Sequence, residues 1–569
     1  MPAPDLLDRL TQGWRAWALI ALVSLAAALP GVFAMPPLDR DESRFAQASV
    51  QMLETGDYVR IAVQDQPRNK KPVGIYWLQA ASTAAFSKAS ARAIWSYRLP
   101  SVLGALIAAL ATFWTGQRLI GRRAAFIGAC LFASSLLIGV EGMTAKTDAM
   151  LCGLTTLALA ALARLRTLTA HPRAVALIFW AALGAGILIK GPVTPLAAFG
   201  ALAALYVWER KADWMKPLAW WPGPALALLI VLPWGVAIWS ATNGQFFSDA
   251  IGHDLGSKVA GGDEGHSGPP LYHFALVWLL LFPATIALPG ALRLIWRTAR
   301  GPRADDEGAA LRFLIACIVP VWLVFELLPT KLPHYALPAY PPLALLCAAA
   351  LTTSFEQDWK KLRLAARAIA IIGALILVGL CAALAYLMPG DAAADQKRAV
   401  QTILVTLLLF SPFLYFIVHA KSAALLAAAS CAIALLFAFT ARERILPRTH
   451  AVFVSEEASE ALLRAGLHPR FPATSPPLTI LGDNEPSLIF LTRTDSHLNI
   501  GADAGTRAQV GDVYLVEQRQ RADFEAALAA RGLAFAPAGA PAEGINYAAA
   551  KTISLQPGRV ISAAAAKAP

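Results

Sequence analysis

The chain alternates long apolar runs with short polar connectors. Roughly thirteen runs approach the ~20 residues that cross a bilayer core, near 14–35, 98–117, 124–140, 149–165, 174–190, 192–208, 220–241, 271–296, 311–329, 335–352, 366–388, 398–418 and 422–440. Runs of that length predict an α-helical polytopic membrane protein, because a helix satisfies its own backbone in lipid. The first run lacks a small-residue cleavage site, so it is expected to be a span and not a removable leader. Beyond residue 440 the pattern shortens. Leu478–Leu481 and 513–516 look like strands, and 455–465 and 521–531 look like helices. The expected organisation is a transmembrane domain over 1–440 and a small α/β domain over 441–569 outside the cytoplasm.

Charge orients these runs. Basic residues follow the even-numbered ones: Arg118, Arg122 and Arg123, then Arg164, Arg166 and Arg173, then Arg210, Lys211 and Lys216, and so on. The positive-inside rule puts those exits, and the N-terminus, in the cytoplasm. The opposite side then receives the loop 36–97, residues 141–148, the Lys190 corner, 242–270, 330–334 and the tail. Composition agrees with this picture: of 569 residues 57% are hydrophobic and 15% charged. The net charge of +12 is spread over short loops, which argues against nucleic-acid binding. All six cysteines lie inside apolar runs and read as core residues, without disulfide or metal-ligand spacing.

Most of the unusual polar chemistry falls in the outward loops. In 36–97, Phe45, Ala48, Ser49 and Met52 recur at helical spacing, with Gly56 placed to end the helix. The segment 73–86, with Tyr76 and Trp77, is expected to rest at the interface. Asp41 and Glu42 are candidates for a general base or for orienting an acceptor hydroxyl; alternatively, Asp41 caps the helix that follows. Arg44, Lys70 and Lys71 suit an anionic leaving group, although interfacial lysines also simply snorkel. Asp148 leads into an apolar run and needs a partner, either Lys146 or a cation from the first loop. Lys190, followed by Gly191 and Pro192, makes a tight corner whose lysine can snorkel. The loop 242–270 holds seven glycines and is expected to move over a site. Within it Asp263, Glu264 and His266 offer metal donors without fixed spacing, so a divalent metal is a candidate but not a requirement. Lys331, His334 and Tyr335 lie in a proline-rich turn on the same side, as a plain turn or as a contact to phosphate or sugar.

DRDESRFAQASVQMLETGDY and NKKPVGIYW, with TDAML at 147–151, GHSGPPLYH at 265–273 and KLPHYALPAYPPL at 331–343, resemble the protein-mannosyltransferase family of C-type membrane glycosyltransferases. The bacterial branch containing the lipid A aminoarabinose transferases is the nearer likeness, and GDNEPSLIFLTRTD at 482–495 resembles its soluble domain. The resemblance implies an inverting enzyme in the bacterial inner membrane with a periplasmic site. It would move sugar from a polyprenyl-phosphate donor to a lipid, glycan or protein acceptor. It implies Asp41 as the catalytic aspartate with Glu42 beside it, Arg44 and Lys71 on the donor phosphate, and Asp148 as a second acidic residue. Lys331 and His334 are expected to assist at the phosphate. Members of that branch carry an acidic residue where this chain has Lys70. The protein is expected to act as a monomer, among membrane lipids and without nucleic acid. A transporter or flippase of lipid-linked sugars is the alternative, and an envelope scaffold a third class.

Overall fold

The computed structural model describes residues 6–257, 267–302, 308–386, 392–471, 475–546 and 551–567. Among them nine helices are long and apolar enough to cross a membrane, or eleven if each of two bent pairs is one span. The pairs are Arg122–Ala133 with Leu136–Met143, bent by 55°, and Tyr272–Leu280 with Ala284–Arg300, bent by 112°. Two further apolar helices, Gly13–Ala28 and Val193–Glu209, have 16 and 17 residues. These short and bent elements account for the difference from the thirteen expected runs. The chain is a multi-pass membrane protein.

Helices Ile94–Leu119 and Asp148–Arg166 form the centre, with 67% and 83% of their apolar windows buried, whereas Pro222–Thr242 is 17% buried and faces outward. Small residues bring the central pair together. A Cβ on Gly104 would lie 2.4 Å from the Met150 backbone, and one on Gly153 would lie 2.6 Å from the Gly104 carbonyl. This close approach fixes the start of the second helix, and therefore Asp148.

The loop after the first helix folds into two short helices, as its pattern predicts. Helix Asp41–Thr55 buries Phe45, Ala48, Ser49 and Met52 and ends at Gly56, which takes φ +72°. Only glycine adopts that conformation without strain. Helix Gly74–Phe86 leaves Trp77, Leu78 and Phe86 exposed, which suits an interfacial position.

The C-terminal segment builds a six-stranded mixed sheet. Strand Leu478–Leu481 pairs in parallel with His497–Asn499 and with Val513–Glu517. The long strand Lys551–Ser562 pairs antiparallel with Val513–Glu517, Leu533–Pro537 and Ala542–Asn546. Successive side chains point to opposite faces. Val513 and Leu515 thus pack with Val454 and Leu462, while Tyr514 and Val516 pack with Phe524 and Leu528. Helices cover both faces.

This sheet unit is pinned to the first loop by Arg92. Its Nη1 donates to Gln47 Oε1 (2.9 Å) and to the carbonyls of Ile489 (3.1 Å) and Phe490 (3.0 Å). Its Nη2 donates to Glu54 Oε1 (2.8 Å) and Thr494 Oγ1 (2.7 Å). Helix Asp41–Thr55 is thereby held between the membrane helices and the sheet.

Candidate active site

Helix Asp41–Thr55 begins at Asp41 itself, so the capping role considered for that residue is not what it does. The N-cap position is Arg40, with φ 60° and ψ −104°, and no side chain caps the helix. A non-glycine residue held at positive φ stores strain and marks a constrained turn. Asp41 emerges from it with 60% of its side chain exposed, 4.0 Å from Arg68 Nη2.

Glu42, paired with Asp41 in the sequence, turns the other way. Its side chain is 1% exposed and grips Arg98, whose Nε and Nη2 donate to Oε1 and Oε2 at 2.8 Å each. Glu42 also accepts from the backbone amides of Leu38 and Ala145, both at 2.8 Å. Arg98 donates in turn to the carbonyls of Val32 (3.0 Å), Met35 (2.7 Å) and Pro36 (2.8 Å). Glu42 is thus a buried brace that holds the turn presenting Asp41, and it does not line the cavity.

Asp41 opens into a cavity of about 950 Å³. Six basic side chains line it, Arg44, Arg68, Lys70, Lys71, Lys146 and Lys190, against the carboxylates of Asp41 and Asp148. Its remaining wall is largely apolar and includes Leu188, Trp234, Val236, Trp239, Phe246, Phe247 and Ile251. The void is amphipathic, with a cationic head and a greasy flank. Part of the 242–270 loop lies against it through Phe246, Phe247, Ala250 and Ile251.

Lys190 Nζ lies 2.5 Å from Asp148 Oδ1, so this lysine does not simply snorkel. Lys146 lies 3.1 Å from Glu141 Oε2, and the His334 ring sits 3.6 Å from Glu141 and 3.7 Å from Asp148. His334 lines the cavity as expected, beside Tyr335. Lys331 does not. It is 7% exposed, and its Nζ donates to the Pro269 carbonyl (2.9 Å) and to Glu326 Oε1 (3.1 Å). Glu326, five residues upstream, claims the charge that the sequence left open.

Glu141, Asp148 and His334 bring three possible metal donors within 4.8 Å of one another. Each carboxylate already faces an ammonium group, and a dication placed there would meet both at short range. The set fits a lysine-neutralised cluster better than a metal centre. Glu264 and His266 lie outside the described residues.

Sequence reasoning passed over Arg98 and Arg68. Arg98 opens an apolar run, where an arginine is costly unless paired, and that position was the available signal. Arg68 packs over the Phe45 ring at 5.0 Å, a contact between distant positions that spacing does not reveal.

Residues 70–239 match the family described as dolichyl-phosphate-mannose-protein mannosyltransferase. The chain is similar to an undecaprenyl phosphate-alpha-4-amino-4-deoxy-L-arabinose arabinosyl transferase of Pseudomonas paraeruginosa (strain DSM 24068 / PA7), 30% identical over 63% of this chain. A protein of the same name from Edwardsiella ictaluri (strain 93-146) is 27% identical over 66% of this chain. The alignments span 64% and 66% of these two relatives. The fold is that of ArnT from Cupriavidus metallidurans, solved bound to undecaprenyl phosphate: TM-score 0.72, 19% identity, covering 95% of this chain and 97% of the other. The membrane fold that the resemblance implied is therefore shown, as that of the ArnT structure.

Proposed function

We propose that this protein, with its likeness to the mannosyltransferase family and to the aminoarabinose transferases, is an inverting glycosyltransferase of the bacterial inner membrane. It takes sugar from a polyprenyl-phosphate donor and passes it to an envelope acceptor on the periplasmic face. One observation carries the reading: Asp41 stands at the cationic head of an apolar-walled cavity of about 950 Å³.

The donor is a sugar phosphodiester with a long hydrocarbon tail. The tail lies along Trp234, Trp239, Phe246 and Phe247, and the phosphate meets Arg44 and Lys71. Asp41 accepts the proton of the attacking acceptor hydroxyl. That oxygen bonds to the anomeric carbon as the bond from that carbon to the phosphate oxygen breaks. The polyprenyl phosphate monoester leaves with an added negative charge, which the nearby cations stabilise as it develops. Pairing of Lys146 and Lys190 with Glu141 and Asp148 holds both lysines ready without leaving bare charges in the membrane.

The relatives' names point to undecaprenyl phosphate as the lipid. The basic Lys70 beside Lys71 leaves the transferred sugar a separate question. Incubating purified protein with labelled polyprenyl-phosphate sugar and envelope glycolipid tests the reading. Free polyprenyl phosphate and labelled acceptor should appear together. Donor that crosses the bilayer intact would instead support transport.

A further inference from the structure

A second cavity, of about 650 Å³, lies where the first loop meets the sheet unit. Its lining carries both signs of charge: Arg40, Arg44, Asp483, Glu485, Glu517 and Arg519 contribute to it. Arg44 lines the large cavity as well, so this one side chain forms part of the wall of both.

The acidic groups here are partly satisfied. Asn546 Nδ2 donates to Glu485 Oε1 (2.9 Å) and to Asp483 Oδ1 (3.5 Å). Behind them Asp39 accepts from Ser487 and from Ser455. Glu485 is 9% exposed, and its Oε2 has no hydrogen-bond partner among the described residues. A buried carboxylate oxygen without a donor is costly, and the Glu485 side chain that carries it lines this cavity. Burial and the neighbouring carboxylates of Glu485 and Asp39 push Asp483 up to about 7. Burial also raises Asp39 to about 6.

A bare metal ion does not fit this arrangement. Among the described residues, the one trio of acidic, histidine or cysteine donors within 4.8 Å is Glu141, Asp148 and His334, beside the other cavity. The acids of the second cavity form no such trio, and Arg40, Arg44 and Arg519 line it with them. Such a surface suits a ligand that presents many donors and acceptors across several ångströms. A sugar ring does this, because each hydroxyl both donates and accepts.

We propose that the second cavity binds the polyhydroxylated glycan part of the acceptor, with hydroxyls donating to Glu485 and Asp483 and accepting from Arg40 and Arg519. This rests on the transferase reading. It adds where the acceptor sits and how its nucleophile arrives, past Arg44 toward Asp41.

The test uses the full chain in lipid nanodiscs and a neutral probe, an N-acetylglucosamine disaccharide, so that simple charge attraction does not dominate. Ligand-observed NMR should detect binding to the native protein. Glu485→Gln and Asp483→Asn should weaken it at least tenfold. Lys551→Ala, at an exposed position on the rim where folding is not at risk, should weaken it about threefold. Undecaprenyl phosphate binding should be unchanged in all three. In the transfer assay the acceptor KM should rise with the donor KM unaltered. Equal probe binding by native and Glu485→Gln proteins would overturn the proposal, as would no binding by the native protein. Probe binding that Glu485→Gln abolishes, in a protein that transfers no sugar, would support the glycan site and overturn the transferase reading.

Discussion

Arg98 and Glu42, 56 positions apart in the sequence, meet in a two-pronged ion pair with both N–O distances at 2.8 Å. Both side chains are essentially buried. Removing one partner leaves an uncompensated buried charge, which costs about 3–5 kcal/mol. Arg98→Leu should therefore lower the unfolding temperature in detergent more than any exposed substitution in the neighbouring loop 36–97. Glu42→Gln keeps the shape but leaves the Arg98 charge uncompensated, so it too should lower the unfolding temperature. It should lower turnover by loosening the turn that presents Asp41, while leaving the donor KM nearly unchanged.

Lys190 and Asp148 give a second prediction. Lys190→Ala should weaken undecaprenyl phosphate binding, because it removes a cation from the cavity head and leaves Asp148 without its closest partner. Asp148→Asn in the Lys190→Ala background should recover part of the lost thermal stability. The double-mutant cycle would then show coupling, as expected for residues in direct contact. Strict additivity of the two changes would contradict the pairing.

The packing of the two central helices makes a third. Any side chain at Gly104 must displace the Met150 backbone. Gly104→Val should cost about 1–3 kcal/mol of stability and shift Asp148, measurable as a lower unfolding temperature together with a weaker grip on undecaprenyl phosphate.

The junction with the sheet unit should respond to pH. Asp39 and Asp483 are raised to about 6 and about 7 in the folded protein, above their ordinary value of 3.8. The folded state therefore binds protons more tightly than the unfolded one, and stability falls as pH rises from about 4 through about 7. Unfolding temperature measured from pH 5 to pH 8 should decline. Asp483→Asn should flatten that decline, since asparagine does not titrate.

Much of this architecture is legible in the chain. Run length alone indicates the membrane helices, and the apolar stripe with Gly56 locates helix Asp41–Thr55 within a residue at its end. Strands Leu478–Leu481 and Val513–Glu517 stand out because they are buried on both faces and nearly all apolar. Strands Ala542–Asn546 and Lys551–Ser562 alternate with polar, glycine and proline residues and do not.

At the site, Asp41, Arg44, Lys71, Asp148 and His334 converge on one cavity. Glu42 and Lys331 depart from it for a shared reason. Each is claimed by a counter-charge, the buried Arg98 or the half-buried Glu326, and partner choice across a fold is not written in local spacing. Lys190 shows the converse. A lysine at a helical corner looks like a snorkelling side chain until Asp148 is found beside it.

The central claim is that Asp41 handles the acceptor proton while the surrounding cations hold the lipid phosphate. Single-turnover transfer from labelled polyprenyl-phosphate sugar by Asp41→Asn, paired with undecaprenyl phosphate binding by the same preparation, tests it most directly. The rate should drop by about 10²–10⁴ with phosphate binding intact. Full transfer by a folded Asp41→Asn protein would contradict it.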